Sequence, residues 1–219
     1  RRQAPKGVFT LQNKIRRRIY TMCCAAVMTA LLCVSAQLSI PLGPVPFTLQ
    51  LLVCLLLPFL LSPCAGGAAM LLYIALGLFG LPVFAGGGAG LGYVLRPSFG
   101  FVLGMALPVP LLSFLDGRLS ASGTRRILLR AAFMLCHIAF TYLAGASYMY
   151  TVLNLNGGAI SYGACFAAGV LPFILPDLAK AAAALLLVSL LRPALEKAHL
   201  CPFSEAQPRS SKPSQTDAE

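Results

Sequence analysis

LPFILPDLAKAAAALLLVSLL occupies residues 171–191. It is apolar but for Asp177, Lys180 and Ser189, and prolines stand at 172 and 176 ahead of an Ala/Leu run. Proline is tolerated in a helix only within the first turn, so Pro176 predicts where the helix begins. Asp177 and Lys180 then lie on its opening turns, three residues apart and on one face. A carboxylate there also gains from the positive end of the helix dipole. An ionised side chain at mid-membrane costs about 2.5–3.5 kcal/mol on insertion scales, which makes such residues functional candidates by default. The plain alternative is a local ion pair near an interface. An Ala/Leu-rich helix needs no such pair to form.

The whole chain has the same character. Of its 219 residues 58% are hydrophobic and 11% charged, with a mean hydropathy of +0.81. Soluble domains carry about 25% charged residues, so the composition places the chain in the membrane class. A membrane helix needs about 20 apolar residues. Candidate spans are 19–37, 48–62, 65–82, 98–115, 127–149 and 176–192, the second and last being short and the second containing Pro58. Six spans put both ends on one side. Fifteen of the seventeen Lys/Arg fall in three clusters, 1–18, 118–130 and 192–212, all at or just inside inner segments if the N-terminus is cytoplasmic. The outer segments 38–47, 83–97 and 150–175 hold only Arg96. The positive-inside rule therefore predicts an all-α membrane protein of six transmembrane helices, with N- and C-termini cytoplasmic. KIRRR followed by an apolar run and Val34-Ser35-Ala36 also resembles a signal peptide. That run is long for a signal core, and its removal would put the ends on opposite sides while the basic clusters still require an inner C-terminus. The chain divides into a basic membrane-surface arm (1–18), the six-helix domain (19–193) and a polar Ser/Pro-rich tail (194–219) expected to be disordered.

Several function classes lack support. The formal charge of +11 is gathered at membrane flanks, without the basic face and polar readers of a nucleic-acid interface. The eight cysteines show no metal-ligand spacing and read as small hydrophobes. GGGAGLG (86–92) does not match the phosphate-binding GxxxxGK[ST] pattern. HExxH, GxSxG and a second intramembrane aspartate are missing, so no enzyme, metal or cofactor is predicted. His137 reads as a helix-packing histidine. Asp116 opens the inner loop DGRLSASGTRR and reads as part of a solvated turn.

Arg96, Asp177 and Lys180 remain. A carboxylate beside an ammonium accepts N–H bonds and donates to a carbonyl, and a urea-like group offers both in one plane. Arg96 can grip a carboxylate bidentately at the other end of a ligand, or simply anchor a helix at the interface. The outer segments SIPLGPVPFTLQ (39–50) and GLFGLPVFAGGGAGLGYVLRPSFG (77–100) are rich in Pro and Gly. Such irregular backbone is allowed at membrane depth only when buried in protein or lining a cavity. A compact lid or pocket wall is expected there, a flexible surface loop being the plain alternative. Ala26 and Ala30, four apart in the first span, permit close helix–helix approach.

QLSIPLGPVPFTLQ (37–50), LYIALGLFGLPVFAGGGAGLGYVLRPSFGFVLG (72–104) and GVLPFILPDLAKAAAALLLVSLLRP (169–193) together resemble the BioY family, the biotin-binding substrate components (S components) of energy-coupling-factor (ECF) transporters. The resemblance runs in order from about residue 37 to 193. It implies the six-helix S-component fold in the cell membrane and an outward cavity for biotin. It places Asp177 and Lys180 on the ureido ring. It also implies docking of a membrane coupling subunit on Ala26 and Ala30, with ATP used by two partner ATPase subunits. Where family members more often read PGDL, this chain reads Leu175-Pro176-Asp177-Leu178, so the turn before the helix lacks a glycine. Arg96 is the candidate for the ligand carboxylate on its chemistry. Gln37, Thr48, Gln50 and Tyr93 are candidates for the cavity wall. The competing expectations are an S component for another vitamin, thiamine or riboflavin, and a ligand-free membrane scaffold.

Overall fold

The computed structural model describes residues 6–197. Residues 1–5 of the basic arm and 198–219 of the polar tail, with Cys201, lie outside the described residues. Helix α1 spans Lys6–Gln37 and runs unbroken from the basic arm into the first membrane span. A two-stranded antiparallel hairpin follows, β1 (Ser39–Pro41) paired with β2 (Pro46–Thr48), with Ile40 opposite Phe47. Next come α2 (Gln50–Leu60), α3 (Pro63–Leu78), α4 (Phe99–Ala106), α5 (Pro108–Arg118), α6 (Gly123–Leu155), the short α7 (Tyr162–Gly169) and α8 (Ile174–Lys197).

Six membrane segments result, because α4 and α5 together form one. Arg18–Gln37, Phe99–Arg118, Gly123–Leu155 and Tyr162–Leu195 are each long and apolar enough to cross a bilayer. The second and third segments are shorter helices of 11 and 16 residues. Eleven residues rise only about 16 Å, and α2 fits by being buried nearly all round, from Gln50 to Phe59, inside the bundle. The segment expected at 98–115 is interrupted at Leu107, where α4 gives way to α5. Pro108 and Pro110 cannot donate the bonds that would continue α4, and this is the physical cause of the break. Helix α8 begins at Ile174, two residues before Pro176, and a turn of 3-10 helix, Leu171–Phe173, leads into it.

The core is apolar and continuous. Leu32, Leu55, Leu57, Ala69, Tyr73, Val109 and Ala184 are among its fully enclosed members. Helix α4 lies along α6, α2 against α8, and α1 against α3. The α4–α6 crossing depends on Gly104: a Cβ there would sit 2.9 Å from the Thr141 Cα and 3.0 Å from its carbonyl oxygen. Backbone cannot yield as a flexible side chain can. Gly104→Ala is expected to cost about 1–3 kcal/mol by overpacking and to displace Thr141 and its neighbour Tyr142. A thermal melt of the purified variant checks it, and an unchanged melting temperature would contradict the close approach.

Asp116 departs from its expected role. It is fully buried rather than part of a solvated turn. Arg130 Nε donates to its Oδ1 at 2.9 Å, and Arg192 Nη1 donates to its Oδ2. One carboxylate thus joins α5, α6 and α8 at their cytoplasmic ends. A buried charge must be paired, and here two arginines from the inner basic clusters fold back to supply the pairing. His137 is a packing residue as expected, with Nε2 2.9 Å from the Met105 carbonyl beside the α4–α5 break. The cysteines among the described residues are all free.

Candidate ligand-binding site

The glycine-rich connection between α3 and α4 is a compact cap rather than a loose loop. Phe84 stacks on Tyr93 at 4.3 Å and meets Tyr73 edge-on at 5.5 Å. Gly77 leaves the space that the Phe84 ring fills, since a Cβ there would come within 2.2 Å of it. Gln37 Nε2 donates to the carbonyls of Pro82 and Phe84 at 2.9 and 3.2 Å, tying the cap to the end of α1.

Beside this cap, two cavities open at the outer ends of the helices. The first, about 410 Å3 counted out to the open solvent at its mouth, is lined by hairpin residues Val45, Pro46 and Thr48, by Phe101 and Met105 of α4, and by Tyr142, Asp177 and Lys180. Asp177 and Lys180 are 5% and 7% exposed. Lys180 Nζ donates to Asp177 Oδ1 at 2.8 Å and to the Thr48 carbonyl at 2.7 Å, and lies 3.9 Å from the Phe47 ring centroid. Phe47 in turn stacks on Phe173 at 6.5 Å. Tyr142 Oη donates to Asp177 Oδ2 at 2.7 Å. Leu51 and Phe173 add to the apolar wall, and Thr141, whose hydroxyl donates to the His137 carbonyl, completes the polar lining. Ligand pockets commonly have this make-up: apolar lining with a few placed polar groups.

The second cavity, about 710 Å3, adjoins the first through Pro46, which lines both. Tyr93, Arg96 and Ser98 line it together with hairpin residues Ser39, Pro41, Gly43 and Pro44. Arg96 is exposed, with its Cζ 5.2 Å from the Tyr93 ring centroid.

Of the residues singled out from sequence, Asp177, Lys180 and Thr48 thus meet in one cavity, and Tyr93 and Arg96 in the next. Thr48 contributes its backbone carbonyl to Lys180. Gln37 and Gln50 line neither of these two cavities: Gln37 braces the cap, and Gln50 is buried at the start of α2. Tyr142, Phe47 and Phe173 escaped the sequence reading. A tyrosine in the middle of an apolar helix was the available signal for Tyr142, because a buried hydroxyl must find a partner. Ala26 and Ala30 are exposed on the outer side of α1.

Fold and site together define a multi-pass membrane protein with a ligand slot at one end of its helical bundle. The family model described as BioY family matches residues 10–197. The chain therefore belongs to the BioY family. It is 34% identical over 167 residues to the "Probable biotin transporter BioY" of Pyrococcus horikoshii, spanning 76% of this chain and 93% of that protein. Over 164 residues it is 36% identical to the protein of the same description from Lysinibacillus sphaericus, with 74% of this chain and 81% of that one covered. In three dimensions it resembles the crystal structure of the S-component for biotin from an ECF-type ABC transporter. The TM-score is 0.74 at 27% identity, over 81% of this chain and 93% of that one.

Proposed function

We propose that this chain is the biotin-capturing S component of an ECF-type transporter in the cell membrane. It takes biotin from outside and delivers it inward, and it is a transport component rather than an enzyme. One observation carries the reading: the buried Asp177–Lys180 pair at the polar end of an apolar slot, in a chain that belongs to the BioY family. Asp177 accepts from ureido N–H, Lys180 donates to the ureido carbonyl, and the apolar walls of Val45, Phe101 and Phe173 take the hydrocarbon part. The adjoining cavity gives Arg96 the carboxylate end. A coupling membrane subunit docks on the exposed small-residue face around Ala26 and Ala30, and two ATPase subunits supply the energy. The basic arm (1–18) serves as a membrane-surface anchor, and the tail (194–219) as a polar cytoplasmic extension.

Titration of the purified protein with biotin is expected to saturate at one site, with a dissociation constant in the submicromolar range or below. Saturation by thiamine or riboflavin instead, with biotin inert, would overturn the reading. Arg96 is tested by ligand exchange. Arg96→Ala is expected to weaken biotin about tenfold, the worth of one charge-assisted contact, and to leave biotin amide unaffected. Equal losses for the acid and the amide would remove Arg96 from the site.

A further inference from the structure

The polar end of the slot contains a third side chain whose hydrogen-bond role is dictated by its neighbour. Asp177 uses one oxygen for Lys180 and the other for Tyr142. An ionised carboxylate accepts only, so the Tyr142 hydroxyl is obliged to donate to it. A phenol has a single O–H, and with that proton committed its oxygen faces any ligand as an acceptor. Lys180, with three N–H bonds, gives one to Asp177 and one to the Thr48 carbonyl, which leaves one for a ligand. Around Asp177 the slot therefore offers two kinds of acceptor, the spare lone pairs of Asp177 and the oxygen of Tyr142, beside one cationic donor. Tyr142 comes from the middle of α6 and lines the same cavity as the pair on α8.

We propose that Tyr142 fixes the Asp177 carboxylate in its plane and serves as the second N–H acceptor, so that the slot selects a cyclic urea with both nitrogens unsubstituted. This deepens the biotin reading above and rests on it. One N–H of the ligand goes to Asp177 and the other to Tyr142, while the carbonyl takes the free Lys180 proton. A purely structural tyrosine would hold Asp177 in place but would be indifferent to which nitrogen of the ligand carries hydrogen.

The test pairs a variant with ligand analogues. Tyr142→Phe removes only the hydroxyl. It is expected to weaken biotin about 10- to 50-fold in titrations of the monodisperse protein. Two analogues, each with a methyl group on one ureido nitrogen, separate the roles. For the analogue methylated at the nitrogen that faces Tyr142, Tyr142→Phe is expected to cost several-fold less than for biotin, only the share owed to holding Asp177 being lost. For the other it is expected to cost as much as for biotin. Equal losses for biotin and both analogues would overturn the acceptor role, as would full biotin affinity in Tyr142→Phe. The wild-type protein supplies an arm that does not depend on the variant's folding: each methylated analogue should bind at least tenfold more weakly than biotin, and tolerance of a methyl on either nitrogen overturns the proposal. Failure of the wild-type protein to bind biotin at all would instead remove the functional reading on which it rests.

Discussion

Asp177→Asn and Lys180→Met are each expected to weaken biotin binding roughly 100-fold or more, while the protein still reaches the membrane and purifies as a folded species. Each variant removes a hydrogen bond to a charged group, worth about 1.5–3 kcal/mol. Each also strands the other charge in a nearly closed site, because the two residues are 5% and 7% exposed. The variants differ in what they leave behind. Asp177→Asn keeps the shape and the Tyr142 contact but leaves the Lys180 ammonium facing only the Thr48 carbonyl and the Phe47 ring. Lys180→Met keeps the hydrocarbon stem and leaves Asp177 with Tyr142 alone. Equilibrium titration on the monodisperse fraction of each is the measurement. Unchanged dissociation constants in both would show the pair to be a structural ion pair, and a ligand-free scaffold would then be the better description.

Asp116→Asn should do the opposite: little direct effect on the ligand slot and a large loss of stability. Asp116 is the single carboxylate between two buried guanidinium groups, Arg130 and Arg192, which are 7% and 4% exposed. Removing one member of a buried ion pair costs about 3–5 kcal/mol, because the remaining charge stays buried without compensation. Asp116 serves two such pairs, and Arg130 and Arg192 would both lose its charge at once, so thermal melts should fall steeply and the yield of folded protein with them. Apolar replacement of the whole cluster, Asp116→Leu with Arg130→Met and Arg192→Leu, is expected to recover most of the loss, since a well-packed apolar substitute is often as stable as the ions it replaces. A melting temperature unaffected by Asp116→Asn would mean that the cluster contributes nothing to the assembly of the three helices.

Asp177 and Lys180 were readable from sequence because two charges in an apolar run have few explanations, and nearby prolines mark the start of their helix to within two residues. The six-segment topology was readable for a similar reason: basic residues sort by side of the membrane, and no tertiary knowledge is needed to count them. Asp116 was not readable in the same way. Its neighbours Gly117 and Arg118 look like a turn, while its partners are 14 and 76 residues away, and only packing brings them back. Tyr142 and Phe47 carry no charge to stand out against an apolar background, so their part in the site emerges only when α6 and the hairpin are placed against α8. Gln37 shows the converse case. It sits beside the hairpin in sequence and suggested a ligand contact, but its amide is spent on the carbonyls of the cap.

Helices α6 and α8 are cross-linked twice by polar side chains, with apolar packing between. The outer rung joins Tyr142 to Asp177, and the inner joins Arg130 and Arg192 through Asp116. Between the rungs α6 advances 12 residues and α8 advances 15, about 18 Å and 22 Å of helix respectively. Unequal spacings of this kind act as a vernier: the two rungs align in one relative setting of the helices and in no neighbouring one. A one-residue slip moves a helix about 1.5 Å along its axis and turns it through about 100°, which breaks both rungs at once. The pair is thereby keyed to a single register.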